Sequence, residues 1–197
     1  MDTKLTLLIL QMDLLDNMRE IDTIRQMVAQ QAAGLVEVSV ADCEQPEDIL
    51  AAAGANKPDW VHIVGRSNDN ELIFSGGKNG ESKCDRIQLL ENLCEAAPSL
   101  TLLTLNSKLD MRDLGNMSQL RAMIGMENGY NPLASRLFMP RFYANICAGM
   151  PLVPAAKAAI EGMQAEVVQH GGMPSVCFSH GIDPETFIFL PRETVMN

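Results

Sequence analysis

Asp59-Trp-Val-His-Ile-Val-Gly-Arg-Ser67 is an apolar run that stops abruptly in small and polar residues. Leu102-Leu-Thr-Leu-Asn-Ser-Lys-Leu-Asp110 repeats the pattern. Each reads as a core strand followed by its tip. In an open α/β sheet, ligands and catalytic groups gather just beyond the carboxyl ends of the strands. The residues at these two tips are Arg66 and Lys108, both cationic.

Outward from the two tips, strand-like and helix-like stretches alternate. Leu5–Leu10, Leu35–Val40, Val61–Val64, Leu100–Leu105 and Ala122–Met126 read as buried strands. Between them, residues 17–33 carry Ile21, Ile24, Met27 and Val28 at helical spacing. Gln45-Pro46-Glu47-Asp48 opens a short helix, with proline and acids in its first turn. Residues 85–97 present Ile87, Leu89, Leu90 and Leu93 on one helical face. Glu71–Phe74 with the glycines after it reads as a small β excursion. Two helices are expected near 132–148 and 152–168, then terminal strands at Ser175–Phe178 and Phe187–Leu190 around the turn Gly181–Pro184. The alternation predicts one α/β domain over 1–197, a mostly parallel sheet with helices on both faces.

Bulk properties narrow the partners. A formal charge of −10 argues against nucleic acid or an anionic membrane held by a general electrostatic footprint. The five cysteines are scattered, without a Cys-x-x-Cys pair or a metal-like spacing to histidine. They read as reduced thiols, and the start Met1-Asp-Thr-Lys-Leu5 lacks a signal peptide's basic region and cleavage site, so the expected compartment is the cytoplasm. No metal or cofactor is expected.

Several doubly wound classes fail at their defining turns. The turn after the first strand is Gln11-Met-Asp-Leu-Leu15, without the glycines that a dinucleotide site needs. There is no Gly-x-x-x-x-Gly-Lys-Ser/Thr loop and no Gly-x-Ser-x-Gly elbow. A receiver domain wants an acceptor aspartate where Gly65-Arg66-Ser67 stands.

The remaining class with chemistry at two adjacent tips is the caspase-like cysteine peptidase. Lys57-Pro-Asp-Trp-Val-His-Ile-Val-Gly-Arg-Ser67 followed by Glu71-Leu-Ile-Phe74 resembles the "KPDIVHFSGHG…GELIF" of its CHAT branch. Leu102–Leu109 resembles the branch's "VVLNAC", Met123-Ile-Gly-Met126 its "VIGM", and Phe142-Tyr-Ala-Asn-Ile-Cys-Ala-Gly149 its "FYDALAAG". Glu47-Asp-Ile-Leu50 upstream and the helix through Ala155–Ala159 fall in the same order, so the likeness runs from about Leu5 to Leu190. It implies a caspase-like three-layer αβα sandwich around a mostly parallel sheet.

Residue by residue, the resemblance keeps the first histidine of "HFSGHG" as His62 and puts Arg66 on the second, catalytic one. In "LNAC", Lys108 takes the cysteine's place after Leu105, Asn106 and Ser107. Peptidase sulfur attacks as a thiolate kept ionised by an imidazole. A guanidinium stays protonated and is no base. Two cations about 4 Å apart repel by roughly 4 kcal/mol at an effective dielectric near 20. They must therefore point apart, reach solvent or share an anion, with Asp69, Glu71 and Asp110 the nearest acids in sequence.

The resemblance thus implies a chain with no catalytic residues, its dyad degenerate at Arg66 and Lys108. The candidate cleft is His62, Gly65, Arg66, Ser67, Asn106, Ser107, Lys108 and Asp110. His62 is expected to be structural, facing a helix. The resemblance implies a pseudoprotease serving as a regulatory or protein-interaction module in a prokaryotic defence or signalling system. Its partner would be a protein, as a homodimer or a heterodimer with a caspase-like relative. Two alternatives stay open: a module that binds a peptide or small anion at Arg66 and Lys108, and a hydrolase with relocated groups.

Overall fold

Leu5–Gln11 (β1) is flanked by Val36–Asp42 (β2) and Trp60–Val64 (β3), both parallel to it. The computed structural model describes residues 4–12, 18–68, 70–77, 80–109, 114–115, 117–127, 131–164 and 173–190. Arg66–Ser67 (β4), Glu71–Gly77 (β5) and Gly80–Asp85 (β6) follow β3, and the main sheet resumes with Leu102–Leu105 (β7), Ala122–Met126 (β8) and Pro174–Phe178 (β9). The six-stranded sheet has the order β2-β1-β3-β7-β8-β9, with only β9 antiparallel to its neighbour.

The period of two along the strands sorts side chains between the faces. Leu7, Ile9, Trp60, Val64, Leu102 and Ile124 join one apolar layer with Met18–Gln31 (α1), Pro132–Cys147 (α4) and Leu152–Gln164 (α5). Leu8, Leu10, Val61, Ile63, Leu103 and Met123 join the other with Pro46–Asn56 (α2) and Arg86–Ala96 (α3). The chain is therefore an α/β protein with a mostly parallel sheet between two helical layers.

Local signals set the helix ends. Asp48 accepts from the amides of Glu44 and Gln45 at 2.9 and 3.1 Å, closing the start of α2 beside Pro46. Asp85 accepts from the Gln88 amide at 2.9 Å and Asn131 from the Ala134 amide at 3.0 Å, capping α3 and α4. Among the described residues no helix is long and apolar enough to cross a membrane.

Two expectations change. The first tip does not end in a loop: Arg66 and Ser67 pair with Ile73 and Leu72 and open a separate sheet of order β4-β5-β6. Phe187–Leu190 is not a strand. It is held by aromatic packing: Phe189 meets Trp60 edge-on at 5.9 Å and Phe187 at 4.9 Å. The Leu152 amide donates to Phe187 O at 2.9 Å, so the segment's backbone bonds to a helix start and not to a ladder. Apolar alternation there reports a covering segment, for which no strand partner is needed.

Candidate functional site

β3 and β7 are direct neighbours, with His62 opposite Thr104 and Ile63 opposite Leu105. Their tips are consequently side by side, and Ser67 Oγ donates to Asn106 O at 3.1 Å across them. Arg66 is held away from this junction. Arg66 follows β4 sideways, where its Nη2 donates to Ser75 Oγ and to Glu81 Oε2, the latter at 3.0 Å. Glu81 also lies 3.9 Å from Lys83 Nζ, which is 4.0 Å from Glu71. Arg66 thus belongs to a chain of alternating charges on the small sheet. These groups are nearly half exposed, so each pair is worth only about 0.2–1 kcal/mol. Lys108 is exposed. Of the acids nearest in sequence, Glu71 faces Lys83 and Asn68 instead, and Asp69 and Asp110 lie outside the described residues.

The rest of the second tip is packed. Asn106 is 6% exposed and its Oδ1 accepts from the Asn131 amide at 2.7 Å, tying the tip to the cap of α4. Ser107 is fully buried; its Oγ accepts from Arg86 Nη1 at 3.3 Å and its carbonyl from the Met126 amide at 2.8 Å. Leu109 lies over β8, and a Cβ on Gly125 would stand 2.5 Å from Ser107 O and 2.6 Å from Leu109 Cγ. Only a glycine admits the loop this close. The described partners of Ser67 and Ser107 are a backbone carbonyl and a guanidinium, and neither can take a proton.

Gly65 has a similar role beside β1. The chain leaves β1 toward β2 and returns as β3 on the other side, which makes β1 and β3 the switch point where doubly wound sheets receive ligands. Met12 occupies that place. It is 2% exposed, its amide donates to Val64 O at 2.8 Å, and its Cε and Cβ would lie 2.6 and 2.8 Å from a Cβ on Gly65. Gly65→Ala is expected to lower stability by about 1–3 kcal/mol, read as a shift in urea midpoint, since Met12 Cβ cannot swing aside as Cε can.

His62 does not share the tip. It lies fully buried between the sheet and the helices α1 and α4, as its alternation with Val61 and Ile63 predicts. Its Nε2 is 3.0 Å from Glu20 Oε1 and its Nδ1 2.6 Å from Thr104 Oγ1. Ser135 Oγ donates to Glu20 Oε1 at 2.8 Å, and Thr104 Oγ1 meets Tyr143 OH at 2.7 Å. Five polar side chains from α1, β3, β7 and α4 thereby satisfy one another inside the apolar layer, as buried polar groups must. Glu20, Thr104, Ser135 and Tyr143 were not among the sequence candidates. A signal existed for Glu20, which precedes Ile24 by one helical turn and Val28 by two.

Four of the thiols are held protonated. Burial pushes Cys43, Cys94 and Cys147 up to about 12, with Asp48 and Asp42 adding for Cys43 and Glu91 for Cys94. Cys84 rises to about 11, through burial first and then Asp85. Thiols so shifted hold almost no thiolate at neutral pH. Between the ordinary value of 9.0 and about 12 the unfolded chain ionises these thiols while the folded chain keeps them protonated. Stability must therefore fall as pH rises above 9. Cys94→Ala is expected to flatten that fall by up to about 1.4 kcal/mol per pH unit in denaturant titrations. Among the described residues no group of three or more His, Cys, Asp or Glu is placed to hold a metal ion.

No model of a known protein family matches the chain, and no curated protein matches it either.

Proposed function

We propose that this chain is a CHAT-like protein of the caspase-like superfamily that has lost peptidase chemistry and works as a regulatory or protein-interaction module. Its setting is the cytoplasm of a prokaryote, in a defence or signalling system. The observation that carries the reading is the state of the two tips. They are adjacent, as a dyad requires, yet Arg66 is drawn aside to Glu81 and Lys108 points to solvent above a buried Ser107. An imidazole and a thiolate need a common open space. Here a hydrogen bond from Ser67 Oγ to Asn106 O spans the junction between the tips.

The test pairs an activity assay with a capture experiment. The wild type is expected to show no turnover of peptide libraries and no site-specific labelling by iodoacetamide or fluorophosphonate. Turnover abolished by substituting a single labelled residue would sink the reading. Arg66→His combined with Lys108→Cys probes descent: iodoacetamide-sensitive cleavage by that variant would tie the chain to the peptidase lineage. Co-purification with a caspase-like relative would identify the regulated partner.

A further inference from the structure

Strand β2 is one edge of the main sheet, and among the described residues it pairs only with β1. Its backbone direction can be read from its ends. Leu35 O accepts from the Leu5 amide at 2.9 Å and the Cys43 amide donates to Gln11 O at 2.8 Å. In a parallel ladder each residue turns its N–H and C=O to the same side, and alternate residues turn to opposite sides. The odd-numbered residues 35–43 therefore face β1. Val36, Val38, Val40 and Asp42 turn their backbone groups outward, except that the Val36 amide is already taken by Ala32 O at 3.2 Å.

Among the described residues this edge has few of the usual protections, its only charges being Glu37 and Asp42. Sheet edges are normally blunted by proline, lysine, a bulge or shortness. Val36-Glu-Val-Ser-Val-Ala-Asp42 has seven residues, regular register and no proline or lysine. Val40 is 40% exposed and Leu35, just before the strand, 45%. A groove of about 460 Å³ runs between the strand and α1, lined by Asp22, Arg25, Gln26, Ala29, Val36 and Val38.

We infer that β2 is a self-association edge, on which two copies of this chain pair antiparallel about a two-fold axis through Ser39. That register is the one that overlaps the whole strand with its copy. It sets Val38 against the second copy's Val40, each exchanging both backbone hydrogen bonds, and lets the second copy's Asp42 amide reach Val36 O. Every outward group of the strand except the Asp42 carbonyl is then used, and the Val36 amide needs no partner. The charges agree with a second copy as the occupant. Glu37 falls opposite Ala41, so acids do not face acids across the pair. The groove beside the strand is lined by one acid and one base, Asp22 and Arg25, so its lining adds no net charge to the pair. The inference rests on this backbone geometry and not on the pseudoprotease reading, and its test reads association, not catalysis.

The 197-residue chain is followed by light scattering after gel filtration over a wide concentration range, with and without added salt. Wild type is expected to move toward twice the monomer mass. Salt should strengthen the association, because two copies of charge −10 repel until screened. Val40→Pro removes an outward N–H that bonds nothing within the described chain, and proline is tolerated at such an edge position. It should weaken the dimer by about tenfold or more with the thermal midpoint nearly unchanged. Ser39 is the only position self-opposed in this register, as a non-hydrogen-bonded pair with Cα atoms about 4.5 Å apart, within disulfide reach. Ser39→Cys should therefore cross-link under mild oxidation while Glu37→Cys does not. A wild type that stays monomeric throughout overturns the inference and leaves the edge to an extended segment of another protein. Equal cross-linking of the two cysteine variants, or a dimer indifferent to Val40→Pro, overturns it as well.

Discussion

His62→Ala is expected to destabilise the fold by about 3–5 kcal/mol, the cost of leaving one member of a buried pair without the other. Glu20 is 2% exposed and would keep only the Ser135 hydroxyl among its described partners. Thr104 would lose its contact to Nδ1 as well. The measurement is urea unfolding followed by circular dichroism, with Glu20→Ala as the reciprocal variant. Replacing both residues by leucine separates the penalty of an orphaned group from the net worth of the pair. If the pair mainly fixes how α1 and α4 dock, the double variant should recover most of the loss. A loss below about 1 kcal/mol for His62→Ala would mean that water reaches Glu20 and that the network is not closed.

Gly125→Ala is the second large effect, about 3 kcal/mol or more, at the upper end of overpacking costs. The added methyl would meet a backbone carbonyl 2.5 Å away, and that carbonyl cannot rotate aside as a side chain would. Relief requires the loop at Asn106–Leu109 to rise from β8. That would strain the 2.8 Å bond from the Met126 amide to Ser107 O and the 2.7 Å bond from the Asn131 amide to Asn106. Hydrogen exchange should therefore quicken at Met126 and Asn131 before the sheet as a whole opens. Unchanged protection at both amides, with wild-type stability, would contradict the close approach.

The parts of this fold legible in the sequence are those governed by one periodicity. The strands 5–11, 60–64, 102–105 and 122–126 are fully apolar or nearly so because helices cover both their faces, and such runs are visible without knowing the partners. Helix starts at Gln45-Pro46, Asp85 and Asn131 are equally local. What failed depended on distance. Phe187–Leu190 looks like a strand because it buries Phe189 on Trp60, 129 positions earlier in the chain, a contact that leaves no trace in local alternation. Glu20 was passed over because an acid on an apolar face counts as surface until His62, Ser135 and their geometry are known. The two tips are legible as neighbours, but Glu81, which the hairpin folds back onto Arg66 from fifteen positions later, is not.

The methionine seated over Gly65 has a wider consequence. Sheets of this winding ordinarily keep a vacancy where the chain reverses its progress across the sheet, and most of their chemistry has grown up in it. Here a thioether side chain stands at that point, so a ligand approaching along this end of the sheet would meet Met12 before it met the backbone of Gly65.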